Sequence, residues 1–328
     1  MLRSMYSGIS GLRNFQTKLD VIGNNISNVN TYGFKKGRVI FKDLISQTVA
    51  GASAGSDARG GVNPKQVGLG SQVSAIDTIH AGGSTQFTGN TLDLAISGDG
   101  FFQVADGTGG DPLTGITGFV NPLYTRAGNF YMDNNGYLVN GDGKFLVGYS
   151  ATGWDGDLDN VDDASFPPAN DIEVDTNATG NLDDPDEDNG FLPDIPPVTN
   201  AGDYHPIRIP TNAQSMSIGQ DGTITFVDSE GVLRWAGQLV LAKFPNPGGL
   251  NKVGGNYFKD TANSGAPVNQ VATKEGLGSI ESGFLEMSNV DLAEEFTEMI
   301  VAQRGLQANT RIITTSDEIL QELVNLKR

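Results

Sequence analysis

Apolar residues recur at helical spacing at both ends of the chain and at strand spacing between them. From Leu2 to Val29, the residues Met5, Leu12, Leu19 and Ile26 fall seven apart, and Ile9, Phe15, Ile22 and Val29 widen the same face. The last forty residues repeat the pattern more strictly. Leu292, Met299, Leu306, Ile313 and Leu320 form an unbroken seven-residue series, broadened by Ile312, Ile319, Leu323 and Leu326. Ser288 or Asn289 is positioned to cap this second helix, with Asp291, Glu294 and Glu295 in its first turn. A one-sided heptad stripe is coiled-coil-like; two amphipathic helices packed on a globular core would give the same pattern.

Between the ends the sequence alternates short β-type runs with turn residues. Leu92–Ile96 leads through Gly98-Asp99-Gly100 to Phe101–Val104, and Asn129–Met132 leads into Asp133-Asn134-Asn135-Gly136. Gln220-Asp221-Gly222 opens Thr223–Val227 in the same way. Asp-Gly and Asn-Gly pairs between β-branched or aromatic runs are hairpin signals. Helical units do not alternate with these strands, so a parallel α/β sheet is not expected. The stretch from Val49 to Gly61 is small, polar and glycine-rich and reads as a flexible link. The predicted fold is α+β: paired long terminal helices, coiled-coil-like, around a β-rich middle domain that carries an acidic, loop-rich or β insert. The expected divisions are 1–66 for the first helix and link, 67–150 with 206–281 for the β-rich core, 151–205 for the insert, and 282–328 for the last helix.

Charge marks the insert. The 328 residues carry 39 Asp and Glu against 21 Lys and Arg, a net charge of −18. Fifteen of the acids lie between Asp155 and Asp203, where no Lys or Arg occurs, so the rest of the chain is nearly neutral. With Pro167-Pro168, Pro193 and Pro196-Pro197, this segment reads as one solvated insertion. A surplus of negative charge opposes broad affinity for nucleic acid or anionic lipid. No apolar run approaches the roughly 18–20 residues that span a bilayer. Glycine, 44 of 328 residues, is well above the usual share of about 7% and favours turns and short strands. The chain has no cysteine, which removes disulfides, thiolate zinc sites and cysteine nucleophiles. Met1–Gly8 has a charge but no following apolar stretch, so no cleaved secretory signal is expected.

Candidate chemistry is sparse. Gly98-Asp99-Gly100 and Gly141-Asp142-Gly143 lack the third glycine and the helix that a phosphate-binding loop needs, and both read as hairpin turns. His80 and His205 are isolated and have no nucleophile context. Asp175, Asn177, Thr179, Gly180, Asn181, Asp183 and Asp186 fall at the spacing of a calcium loop, but Asp replaces Glu at its last position, Pro185 interrupts it and flanking helices are missing. A solvated acidic face is the better reading. Paired carboxylates for glycoside hydrolysis need a rigid cleft, which a proline-rich insert does not supply. No catalytic residue, cofactor site or metal site is assigned, and an enzyme is not expected. A secreted calcium- or carbohydrate-binding β protein is the alternative from a different class.

The seventeen-residue run Leu19–Lys35, with Asn24, Asn25, Asn28, Asn30, Gly33 and Phe34, closely resembles the N-terminal signature of bacterial flagellar rod and hook axial proteins. Its asparagines are suited to satisfy backbone groups where a helix ends. Val67–Ser71, Leu92–Val104, Tyr124–Phe130, Asn256, Ser264-Gly265, Ser288–Leu292 and Met299–Arg304 resemble the same family. The acidic insert has no such likeness apart from Thr179–Leu182, which resembles a spacer in hook members. Gly148-Tyr149, Gly237–Phe244, Asn246-Pro247 and Leu323–Leu326 resemble hook members, whereas the long Val49–Pro64 link resembles distal rod members. The resemblance implies a structural subunit of the flagellar hook, with the distal rod as the alternative. It implies export by the flagellar type III apparatus to an extracellular position in the hook and basal body. Terminal helices would pair in the inner layer of a helical homopolymer, meeting rod, hook-cap and hook–filament junction proteins. Residues implied in assembly are Met5, Leu12, Leu19, Asn24, Asn25, Ile26, Asn28, Gly33, Phe34, Leu292, Met299, Leu306, Ile313 and Leu320.

Overall fold

The computed structural model describes residues 2–55, 60–107, 119–150, 204–229 and 231–326. They form two compact units. The first comprises the residues up to Thr31, Lys35–Ala81 and those from Ser288 onward; the second comprises Tyr32–Phe34 and Gly82–Met287.

The first unit holds two helices, α1 (Leu2–Ser27) and α2 (Leu292–Asn325), and four strands. These strands are β1 (Gly37–Asp43), β2 (Ser46–Ala50), β3 (Lys65–Gly68) and β4 (Ser71–Thr78). The cap of α2 is neither Ser288 nor Asn289 but Asp291, whose carboxylate accepts from Ala293 N and Glu294 N. The two earlier residues are engaged elsewhere: Ser288 Oγ accepts from Val290 N, and Asn289 bonds the backbone at Lys36, Ile79 and Ala81. β1 and β4 pair antiparallel, with inward and outward residues alternating along both strands. The segment read as a flexible link is a second antiparallel ribbon where it is described. Ser46, Gln47 and Thr48 face Gly68, Val67 and Gln66, and Ser53 exchanges two backbone hydrogen bonds with Val62. β-Branched Thr48, Val49, Val62 and Val67 favour that extended backbone, and every residue of the two strands is exposed.

The second unit is built on antiparallel strands: β5 (Thr85–Phe87), β6 (Leu94–Ser97), β7 (Phe101–Gly107), β8 (Phe119–Thr125), β9 (Phe130–Met132), β10 (Leu138–Asn140), β11 (Phe145–Ser150) and β12 (His205–Pro206). They continue with β13 (Ser215–Ile218), β14 (Thr223–Val227), β15 (Leu233–Lys243), β16 (Asn251–Gly254), β17 (Tyr257–Lys259), β18 (Val268–Val271), β19 (Ser279–Ser282) and β20 (Phe284–Glu286). The main sheet runs β13-β14-β15-β11-β7-β8-β17-β16, and β12 and β18 add to β11 and β15. Alternate side chains on its central strands enter two separate cores. Phe102, Val104, Leu146, Leu239 and Leu241 pack with Leu94, Phe130, Ile207 and Ile224 on one face. Phe101, Tyr124, Ala242, Phe244, Leu250 and Phe258 pack on the other. That is why β15 is buried continuously from Ala236 to Ala242 rather than at every second residue. Gly128 lets two backbones touch: its carbonyl accepts from Leu94 N, and a Cβ there would lie 1.6 Å from Leu94 O.

The turns at Asp133–Gly136, Gly141–Gly143 and Gln220–Gly222 close hairpins, as their sequences predict. Gly98–Gly100 does not. β6 pairs with β19, whereas β7 pairs with β8, β11 and β15, so this turn carries the chain between sheets. The positive φ angles of Gly98 and Gly100 allow the change of direction. The acidic segment leaves and rejoins the sheet at one place, because Val147 and Gly148 of β11 face Pro206 and His205 of β12. Residues 151–203, including the calcium-loop spacing at 175–186, lie outside the described residues.

Burial beside Phe244, followed by the charge of Asp260, pushes the Tyr124 phenol from 10 up to about 12. Above pH 10 the unfolded chain releases this proton while the folded chain keeps it. Stability is therefore full below pH 10 and falls as pH rises towards about 12. Urea midpoints measured across this window should drop, and Tyr124→Phe should flatten the drop.

Candidate functional site

In the first unit α1 and α2 run antiparallel, and their contacts are made by small and polar residues. A Cβ on Gly8 would lie 3.4 Å from Ile313 Cγ1, and one on Gly11 would lie 2.9 Å from Asn309 Nδ2. Gly305 sits under the Phe15 ring, 2.6 Å from where its own Cβ would be. Further along, Lys18 pairs with Glu298, and Asn25 Nδ2 donates to buried Glu295 Oε2 at 3.2 Å. The inward line of α2 is Glu295, Ala302, Asn309 and Ser316, again seven apart.

The apolar series lies three residues earlier in each repeat. Met299, Leu306, Ile313 and Leu320 are half-buried, and Leu292 is exposed. On α1 the positions Met5, Leu12, Leu19 and Ile26 are half-buried as well, while Gly8, Asn14, Ile22 and Asn25 are the buried ones. A search for apolar heptads therefore misses the inward line of α2. Its signal is a seven-residue spacing of Ala, Asn and Ser.

α1 is covered from a second side. Asn14 Nδ2 donates to Ser71 Oγ, Ser10 lies against Gly70, and Phe15 meets Phe41 of β1 at 6.3 Å. Nothing equivalent among the described residues covers the far side of α2. Ile300 is 59% exposed, Val324 is 66% exposed, and Phe296, Val301, Ile312, Ile319 and Leu323 are exposed too. α2 is also the longer helix, 34 residues against 26, so at 1.5 Å per residue its last turns project about 12 Å past its neighbour.

The asparagines act on backbone, as their helix-end position predicts. Asn25 accepts from Gly37 N at 3.0 Å and donates to Gly37 O at 2.9 Å, taking the place of a neighbouring strand. Asn28 donates to Asn24 O and accepts from Thr31 Oγ1, closing the end of α1; Asn24 is exposed. Asn289 does for the other terminus what Asn25 does here: it accepts from Lys36 N and donates to Ile79 O.

In the second unit Gly33 has φ +69°, and a Cβ on it would lie 2.5 Å from Ala127 N. Its amide donates to Glu286 O. Phe34 is buried, with Lys252 Nζ 4.9 Å from its ring centre, and burial holds the Lys252 ammonium below its usual range. Glu286 is buried against Arg126 at 3.2 Å and accepts from Gly83 N, while Arg126 donates to Gly98 O at 2.7 Å. Nothing in the local sequence marks this pair, because its members lie far apart in the chain. Among the described residues no group of three His, Asp or Glu side chains converges as a metal site, and no helix is long and apolar enough to cross a membrane.

Two terminal helices joined through a small-residue line, one of them apolar on the side left uncovered among the described residues, and a separate β-rich unit make up the described structure. Comparison with known proteins gives the family. Residues 5–35 match the model for "Flagella basal body rod protein", residues 95–226 that for "Flagellar hook protein FlgE/F/G D1 domain", and residues 281–326 that for "Flagellar basal body rod FlgEFG protein C-terminal". The chain is 50% identical to the flagellar basal-body rod protein FlgG of Bacillus subtilis over 330 residues, covering all of both chains. It is 34% identical to the flagellar hook protein FlgE of Borreliella burgdorferi and 30% identical to that of Treponema pallidum, again covering all of each chain. The chain belongs to the flagellar rod and hook axial protein family and is a structural subunit of the bacterial flagellum.

Asn25→Ala removes three hydrogen bonds and leaves Gly37 N and O and the Glu295 carboxylate without that partner. Each unsatisfied buried group costs about 1–3 kcal/mol, so a fall of several degrees in melting temperature is expected by calorimetry. Asn25→Asp should be at least as harmful, since it sets a second carboxylate beside Glu295.

Proposed function

We propose that this axial subunit is of the hook type, polymerising into the flexible tube that passes motor torque to the filament. The observation that carries polymerisation is the apolar side of α2, uncovered among the described residues and extended beyond α1. Burying such a surface against another copy is favourable by about 25 cal/mol per Å². A patch that fits a different patch on the next copy generates an open filament rather than a closed ring. The seven-residue lines of α1 and α2 support a coiled-coil-like pairing within each subunit. Met5, Leu12, Leu19, Ile26, Leu292, Met299, Leu306, Ile313 and Leu320 flank that pairing and contribute the surface that copies share. Asn24, Asn25, Asn28, Gly33 and Phe34 hold the chain where it leaves α1.

The hook reading rests on the insert between β11 and β12 and on full-length likeness to two hook proteins. Its single attachment point lets an outer segment vary without disturbing the sheet, and its acidity suits a solvated outer surface. Export by the flagellar type III apparatus, an extracellular position, and contacts with rod, hook-cap and junction proteins belong to the same proposal. A distal rod subunit is the second reading, favoured by the 50% identity to a rod protein of nearly the same length.

Leu306→Asp places a charge on the half-buried stripe of α2 and is expected to abolish polymerisation, observed as missing hooks in electron micrographs with the chain still secreted. Wild-type hooks from this variant would remove α2 from the assembly surface. The absence of native cysteine permits a second test. Thr199→Cys in motile cells, treated with an impermeant maleimide dye, should label a short segment between cell surface and filament. Label that appears only after the cell wall is opened would assign the chain to the rod.

A further inference from the structure

The acidic insert is attached through two tyrosines. Tyr149 is the last but one residue of β11 and Tyr204 immediately precedes β12, and their ring centres lie 5.4 Å apart with the planes tilted by 36°. Burial, followed by the neighbouring Tyr204 phenol, raises the Tyr149 phenol above its ordinary range. The pairing of Gly148 with His205 fixes the backbone on both sides of the rings. No other pair of tyrosine rings is in contact among the described residues.

We propose that Tyr149 and Tyr204 form a site of oxidative tyrosine–tyrosine coupling that covalently closes the neck of the insert. The bond in 3,3′-dityrosine joins the carbons ortho to the two hydroxyls, so the product holds its oxygens side by side. Ring centres 5.4 Å apart with planes only 36° from parallel bring the ring edges into contact range. The oxidant is hydrogen peroxide activated by a haem. Each phenol gives up one electron and one proton, and peroxide takes both pairs to become two waters. The two phenoxyl radicals join through a new carbon–carbon bond, and the ortho hydrogens move to the oxygens as the rings regain aromaticity. In a chain without cysteine this bond supplies a covalent cross-link between positions 149 and 204. Both rings are half-buried, which shields them from tyrosines of other copies and favours coupling within one chain. The site is independent of whether the subunit serves hook or rod.

The test uses the purified full-length chain at low concentration with a small haem peptide and hydrogen peroxide. Dityrosine fluorescence should appear at a rate per chain that does not change on dilution. Peptide mass spectrometry should find the fragments bearing Tyr149 and Tyr204 joined with the loss of two hydrogens. Tyr149→Phe and Tyr204→Phe keep the packing and should each lower the yield at least tenfold, whereas Tyr131→Phe, at an exposed tyrosine, should leave it unchanged. The proposal is overturned if Tyr149→Phe couples like the parent, or if the linked peptides carry Tyr6 or Tyr131. It is equally overturned if the chain fails to couple while free N-acetyltyrosine couples in the same solution.

Discussion

The approach of α1 to α2 is the constraint on which the first unit depends. Gly8 and Gly11 face Asn309 and Ile313, and Gly305 faces Phe15, so side-chain bulk is absent where the helices come nearest. Close contact of this kind stabilises through many small dispersion terms; it is tightest at Gly305, where an added methyl would fall 2.6 Å from the Phe15 ring. The terminal segments lie at opposite ends of the sequence, so this contact is also what brings the two chain ends together. Polar bonds fix its register: Lys18 with Glu298, and Asn25 with Glu295. A slide by one turn would separate both pairs and bury Glu295 without a partner, which is far more costly than the small gain from forming them.

Two asparagines extend that constraint to the strands. Asn25 satisfies both backbone groups of Gly37 where β1 begins, and Asn289 bonds Lys36 N together with the carbonyls of Ile79 and Ala81. Each side-chain amide stands in for a missing strand, offering a donor and an acceptor in one plane. Aspartate would lose the donor and alanine would lose both. In the second unit the buried Arg126–Glu286 pair has a comparable place, since Glu286 also holds Gly83 N and Arg126 holds Gly98 O. Such a pair adds little net stability, yet removing either partner leaves a buried charge.

The same arrangement supports the proposed assembly. α1 meets α2 on one side and the β1–β4 ribbon on another. α2 keeps an uncovered apolar side and a projecting end. A helix that is apolar beyond its intramolecular seam is incomplete as a monomer, which is the property a polymer subunit needs.

Much of this was legible in the residues alone. Terminal helices and a β-rich middle follow from local spacing and composition, because a helix or hairpin is specified by neighbours in sequence. The run Leu19–Lys35 likewise carries the family likeness. The inward line Glu295, Ala302, Asn309 and Ser316 was not legible: small and polar residues read as a solvent face until a second helix with glycines opposite makes them a seam. The cap at Asp291, the ribbon at Ser46–Gly68 and the change of sheet at Gly98–Gly100 were decided in the same way, by partners far along the chain. Arg126 meets Glu286 across 160 residues of sequence. Local propensity fixes which segments are helix and which are strand, but which groups are buried together depends on long-range closure, and only the tertiary structure decides that.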